Sequence, residues 1–186
     1  MNAPSLAQHF DPPDSYRAEF GWLCGYSADA GFLDNALERF TRQTSAQRAW
    51  DGRIWLALLL DAGNLAISYT EAPGIAHLPV RGNIARPFAL MHAKVAILGF
   101  RHERDPTKWL LRLIVSSGNW TRQTLEESLD LAWRIDIDNA DTRSHDHEAR
   151  QACADLAAAW SLLDWLMRFH DRRLLDLGNT GVLALA

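Results

Sequence analysis

Cysteine is almost absent: Cys24 and Cys153 are the only two in 186 residues, far apart and outside any CxxC spacing. That excludes a disulfide framework and a cysteine-rich zinc site. A basic excess is also missing, since the net charge is −4, so a whole-domain electrostatic footprint for nucleic acid is excluded while a local basic cluster is not. No apolar run approaches the roughly 18 residues of a membrane span. The first residues, MNAPSLAQHFDPPDSY, lack the basic-then-apolar order of a signal peptide, so a cytoplasmic location with no membrane association is expected. There is no internal repeat and no low-complexity tract.

What is present is a core-forming composition, 48% hydrophobic and 23% charged, fitting one globular domain. Eight tryptophans call for an aromatic-rich core or for a face that something else covers. Residues 1–15, with Pro4, Pro12 and Pro13, predict an irregular lead-in, leaving 16–186 as a single domain. FGWLCGYSA (20–28) predicts a strand, and 32–47, with Leu33, Leu37 and Phe40 at helical spacing, predicts a helix. RIWLALLLDAG (53–63) is a continuous apolar run, as in a strand buried on both faces. Residues 64–87, rich in Gly and Pro, predict loops with one short edge strand. Further strands are expected over 88–100, 109–119 and 129–137. Ala149, Cys153, Leu156, Trp160, Leu163 and Met167 form one stripe of a long C-terminal helix. Strands interleaved with helices predict an α/β fold, a mixed β-sheet sandwiched between helices.

The chemistry gathers at strand ends. In MHAKVAILGF (91–100), His92 and Lys94 stand two residues apart, hence on one side of an extended chain, just before an apolar run. The next strand closes with VSSGNWT (115–121), supplying Ser116, Ser117, Gly118 and Asn119. If these strands are neighbours, an imidazole, an ammonium and an amide converge. That set suits a phosphate: lysine brings a point charge, asparagine brings N–H donors, and histidine attacks phosphorus or carries a proton. Ser117 and Asn119 also have the plain reading of ending a strand and opening a helix, which is compatible with anion binding.

His92, Lys94, Ser117 and Asn119 resemble the H-x-K and S-x-N positions of the phospholipase D superfamily, with Asp130 eleven residues after Asn119 at the place of the family's downstream carboxylate. The likeness covers about residues 88–137. The aspartate that usually follows the lysine by five residues is replaced by Gly99, which brings the motif closer to the tyrosyl-DNA phosphodiesterase branch; the connection 101–108 is also longer than usual. The resemblance implies a phospholipase D-like domain that hydrolyses phosphodiester bonds through a phosphohistidine. His92, Lys94, Asn119 and Asp130 would be catalytic: His92 as nucleophile or acid, Lys94 and Asn119 on the non-bridging oxygens, Asp130 fixing the imidazole tautomer, with an exposed strand-edge residue as the plain reading of Asp130. Ser117, Ser116 and Trp120 would bind substrate, Trp120 by stacking, although with eight tryptophans in the chain a core position suits Trp120 equally. No cofactor and no metal are implied. A nucleic-acid end or adduct, DNA in particular, is the preferred substrate class, with a phospholipid headgroup second. The family's reaction uses two facing motifs and this chain carries one H-x-K. The second half is expected from homodimerisation or from a longer chain. A non-catalytic phosphate- or nucleic-acid-binding or assembly module of the same fold is the alternative.

Three other patches carry two readings each. SHDHE (144–148) is either a metal cluster or an acidic lead into a helix; the second fits the helix dipole. Glu126 and Glu127 are substitutes for Asp130 or a solvated face. RFHDRRLL (168–175), and Arg101, Arg104 and Lys108, are phosphate-backbone contacts or ordinary solvated ends.

Overall fold

The computed structural model describes residues 5–126 and 130–176; Glu127 and the predicted strand start at Leu129 lie outside them. A six-stranded mixed sheet organises the chain. β1 (Tyr16–Gly25) is followed by helices α1 (Ala30–Thr41) and α2 (Ser45–Asp51), then by β2 (Leu56–Leu60) and β3 (Ile75–Leu78). β4 (Val95–His102) and β5 (Trp109–Ser116) form a hairpin, the short α3 (Arg122–Glu126) follows, and β6 (Ala132–Asp138) is the last strand among the described residues. α4 (His147–Met167) and α5 (Arg173–Asp176) complete the order. The strands lie β3-β2-β1-β4-β5-β6. The first three are mutually parallel and the other three add on antiparallel.

Each sheet face has its own apolar layer. On one, Phe32, Leu33, Ala36, Leu37 and Phe40 of α1 pack on Leu23, Leu56, Leu58 and Ala96. On the other, Leu163, Leu166 and Met167 of α4 pack on Trp22, Leu59, Ile97 and Leu113. The sheet is therefore covered by helices on both sides, and β2, buried at every position, is the two-faced strand its continuous apolar run predicts.

Three elements depart from the expectations. The 32–47 segment is two helices, because Arg42 takes a left-handed conformation (φ 58°) and ends α1 as a αL cap. Thr44 then caps α2, its side chain accepting from the Gln47 N–H. The lead-in is not irregular throughout: Leu6–Phe10 form a 3-10 turn with Phe10 fully buried. Arg112 holds it there, donating to the carbonyls of His9 and Asp11 at 2.8 and 2.7 Å while pairing in two parallel bonds with Asp136. The α4 stripe is buried only in its second half, and Ala149, Cys153, Leu156 and Trp160 are half-exposed. Among the described residues no helix is long and apolar enough to cross a membrane.

Candidate functional site

The sheet puts its chemistry at one edge. β1, β2 and β3 end there, β4 starts there, and β5 ends there. The chain moves outward from β1 to β3, then crosses back to lay β4 on the other side of β1. Ligands of open α/β sheets bind at such reversals, outside the carboxyl ends of the parallel strands. His92 and Lys94 occupy this point, on an extended segment immediately before β4.

The two side chains meet. Lys94 Nζ lies 2.9 Å from Nδ1 and 3.1 Å from Nε2 of His92, so the ammonium donates to whichever ring nitrogen carries the lone pair. The tilted ring of Tyr26 packs on the imidazole with centroids 5.5 Å apart. His92 is exposed. Lys94 is only 4% exposed; burial pulls its pKa below the usual ammonium range, and the negative charge of Asp130 acts in the opposite direction. A cation kept out of water with a neutral ring as its hydrogen-bond partner is costly unless an anion completes it.

The second motif lies directly across the hairpin. The Ser116 N–H donates to the Lys94 carbonyl at 3.0 Å. Ser117 Oγ donates to Asp130 Oδ1 at 2.8 Å and accepts from the Leu131 N–H at 2.9 Å. Ser116 Oγ accepts from the Gly118 N–H at 3.0 Å. The two serines thus brace the turn, Ser116 buried within it and Ser117 exposed. Asn119 is half-buried, and its buried carboxamide oxygen has no hydrogen-bond partner among the described residues. Its amide is therefore unspent, and rotation about Cβ–Cγ presents either its acceptor or its donors.

Two expected roles are corrected. Asp130 does not hold the imidazole: among the described residues no hydrogen bond joins it to His92, and its carboxylate serves Ser117 while its charge reaches Lys94. Trp120 offers no stacking face. It is fully buried, edge-on to Phe10 (6.2 Å, 88°), tilted against Phe32 (5.9 Å), and donates through Nε1 to the Cys24 carbonyl at 2.8 Å. The indole passes where Gly25 has no side chain; a Cβ there would meet it at 2.6 Å. Trp120 thereby fixes where the Ser117–Asn119 turn sits. Nor is Asn119 hydrogen-bonded to His92 or Lys94 among the described residues.

Tyr26 and Asp61 are absent from the motif reading. Asp61 Oδ2 accepts from the Met91 N–H at 2.9 Å, anchoring the segment that carries His92. Both residues close apolar strands at the carboxyl edge, and that position is the signal that marks them. At the SHDHE patch, Asp146 caps α4, accepting from the N–H groups of Glu148 and Ala149 at 2.9 and 3.1 Å. Among the described residues no three His, Cys, Asp or Glu side chains gather to hold a metal.

The class defined so far is an α/β protein with a mixed sheet and a polar pair at its switch point. Neither a protein-family model nor any curated protein matches the chain.

Proposed function

We propose that the protein is a phosphodiesterase of phospholipase D type, with His92 as the nucleophile. The observation that carries this reading is the contact between an exposed imidazole and a buried ammonium, at the end of the hairpin whose other strand leads into Asn119. In the first step a ring nitrogen of His92 forms a bond to phosphorus and the bond to the leaving oxygen breaks. Lys94 and Asn119 balance charge on the non-bridging oxygens, and a second acid protonates the leaving group. Water then attacks phosphorus, its proton passes to the same second group, and the P–N bond breaks to free His92.

The second acid is assigned to His92 of another copy. A docking face for that copy is available beside the site: Val115 and Trp133 pair across β5 and β6 and are 38% and 48% exposed, and Leu131, next along, is 80% exposed. A contiguous apolar patch of this kind suits an interface. Nucleic-acid ends are the preferred substrate, with phospholipid headgroups second. The other reading, a phosphate-binding module without turnover, draws on the single H-x-K in the sequence.

The test is hydrolysis of bis-p-nitrophenyl phosphate and of single-stranded DNA by the wild type, His92→Ala and Trp133→Glu, with solution mass measured alongside. His92→Ala is expected to abolish turnover, and Trp133→Glu to abolish it by producing monomers. Turnover that survives His92→Ala refutes the mechanism. Active monomers refute the shared site. Phosphate binding without any turnover selects the binding module.

A further inference from the structure

Beyond His92 the carboxyl edge continues as a groove. A cavity of about 430 Å³ is lined by Asp61, Asn64, His77, Arg81 and Arg86. It adjoins the site through two bonds already in hand: Asp61 holds the Met91 N–H, and the Asn64 side-chain amide donates to the Tyr26 carbonyl. Arg81 also lines a second cavity of about 230 Å³, with Asp164, Arg168 and Arg172 around the C-terminal end of α4.

The carboxylates along this path are occupied. Asp61 accepts from the Met91 and Gly63 N–H groups. Asp164 pairs with Arg168 at 3.3 Å. Asp171 pairs with Arg173, which holds its carboxyl down at about 2, with Arg81 adding a smaller pull. Arg81, Arg86 and Arg172 make no ion pair among the described residues. An aromatic cluster adjoins Arg86. Phe88 and Trp165 are 5.3 Å apart, Trp165 and Phe169 5.2 Å, and the Arg86 guanidinium stands 5.5 Å over the Phe88 ring. Trp165 is 37% exposed.

We propose that this groove binds single-stranded nucleic acid, with Arg81, Arg86 and Arg172 on successive phosphates and Trp165 presenting a stacking face to a base. The proposal rests on the phosphodiesterase reading only for the direction in which the strand leads, toward His92. A lone headgroup phosphate is already met by Lys94 and Asn119. Unpaired arginines strung beyond them serve a ligand that repeats its charge. The exposed ring of Trp165 beside them serves one whose bases are unstacked, which a duplex does not offer.

The test is fluorescence anisotropy of a labelled deoxythymidine oligonucleotide of about 12 nucleotides, sized to a single-strand site, titrated with the whole chain over a range of salt. Arg81→Ala/Arg86→Ala is expected to weaken binding at low salt by about tenfold or more and to flatten the log–log salt slope by about 1.4, two single-strand phosphate contacts. Trp165→Ala is expected to weaken binding by at least about fivefold, with Trp165→Phe restoring most of it. Arg143→Ala, beside β6 at the other edge of the sheet, is the control and is expected to change neither quantity. Circular dichroism establishes that each variant is folded. An arginine double variant that binds like the wild type with the same slope overturns the groove, as does an equal loss in Arg143→Ala. No oligonucleotide binding, with phosphatidylglycerol vesicles captured instead and released by the same variants, overturns the nucleic-acid assignment. Because binding is read without turnover, the two proposals fail separately. A protein that grips the oligonucleotide and never cleaves loses the phosphodiesterase reading alone. One that hydrolyses the small diester through His92 and ignores the oligonucleotide loses the groove alone.

Discussion

Replacing Lys94 by methionine should make the protein more stable while removing its function. The ammonium is 4% exposed and its hydrogen bonds go to a neutral ring. The opposing charge, Asp130, stands exposed at the surface, where water screens it. Replacing buried charges by apolar side chains of similar volume is neutral to stabilising by about 1–4 kcal/mol. The hydrogen bond to His92 and the field of Asp130 offset part of the cost, so the lower end applies, about 1–2 kcal/mol. For a chain of this size that raises Tm by about 2–8 °C. Methionine keeps the unbranched stem, and the released imidazole, being exposed, is solvated by water. The pH dependence has a definite sign. A lysine whose pKa is lowered on folding destabilises the native state while it stays charged, and the penalty fades as pH rises through the lowered pKa toward the ordinary 10.5. The gap between variant and wild type should narrow over that window. Urea unfolding near neutral pH and in alkaline buffer measures both effects. Inorganic phosphate should raise the wild-type midpoint and leave that of Lys94→Met unmoved. A variant less stable than wild type by more than about 1 kcal/mol would refute the argument, since the ammonium would then be part of the frame rather than a group held ready for an anion.

Three further outcomes follow from the geometry. Trp120→Ala should cost about 3–5 kcal/mol in urea unfolding, and the milder Trp120→Phe should lower hydrolysis more than stability, because the freed Cys24 carbonyl lets the Ser117–Asn119 turn shift. Arg112→Ala should cost about 3–5 kcal/mol by leaving Asp136 and two carbonyls without their donor, and Arg112→Met less; limited proteolysis should then cut near the Leu6–Phe10 turn. Burial pushes the Cys24 thiol up to about 12, so iodoacetamide at mildly alkaline pH should label Cys153 and spare Cys24 until denaturant is added, read by peptide mass spectrometry.

Much of the sheet was legible because its strands are apolar runs bounded by turn residues. β2 and β5 fall inside the predicted ranges, β4 overlaps its range but runs on through Arg101 and His102, which were expected in the connection, and the short edge strand in 64–87 is β3. The ends are less legible: β4 starts at Val95 rather than near Phe88, since nothing local distinguishes an extended segment with a hydrogen-bonded neighbour from one without. The break at Arg42 was hidden for a similar reason, because an arginine in the left-handed region carries no compositional mark. At the site, residue types and spacing identified His92 and Lys94 as a pair, and the structure has them in contact. Spacing alone did not foresee the burial of Lys94, the loss of Trp120 to the core, or the bond from Ser117 to Asp130. Trp120 is taken into the core by Phe10 and by the space over Gly25, both far away in the chain, and Ser117 is turned toward Asp130 by the neighbouring Leu131 N–H.

The hairpin has its own consequence. His92 and Lys94 precede β4, and Ser117 and Asn119 follow β5, so both motifs sit at the open end of the two strands. The connection 103–108 is at the closed end, a full strand length away. Their alignment is set by the ladder from Val95–Val115 to Arg101–Trp109, not by the length of the bend. Residues can accordingly be inserted at Asp105 or Pro106, a peptide tag for instance, without disturbing the constellation, whereas deleting a single residue inside either strand would turn one motif to the wrong side of the sheet.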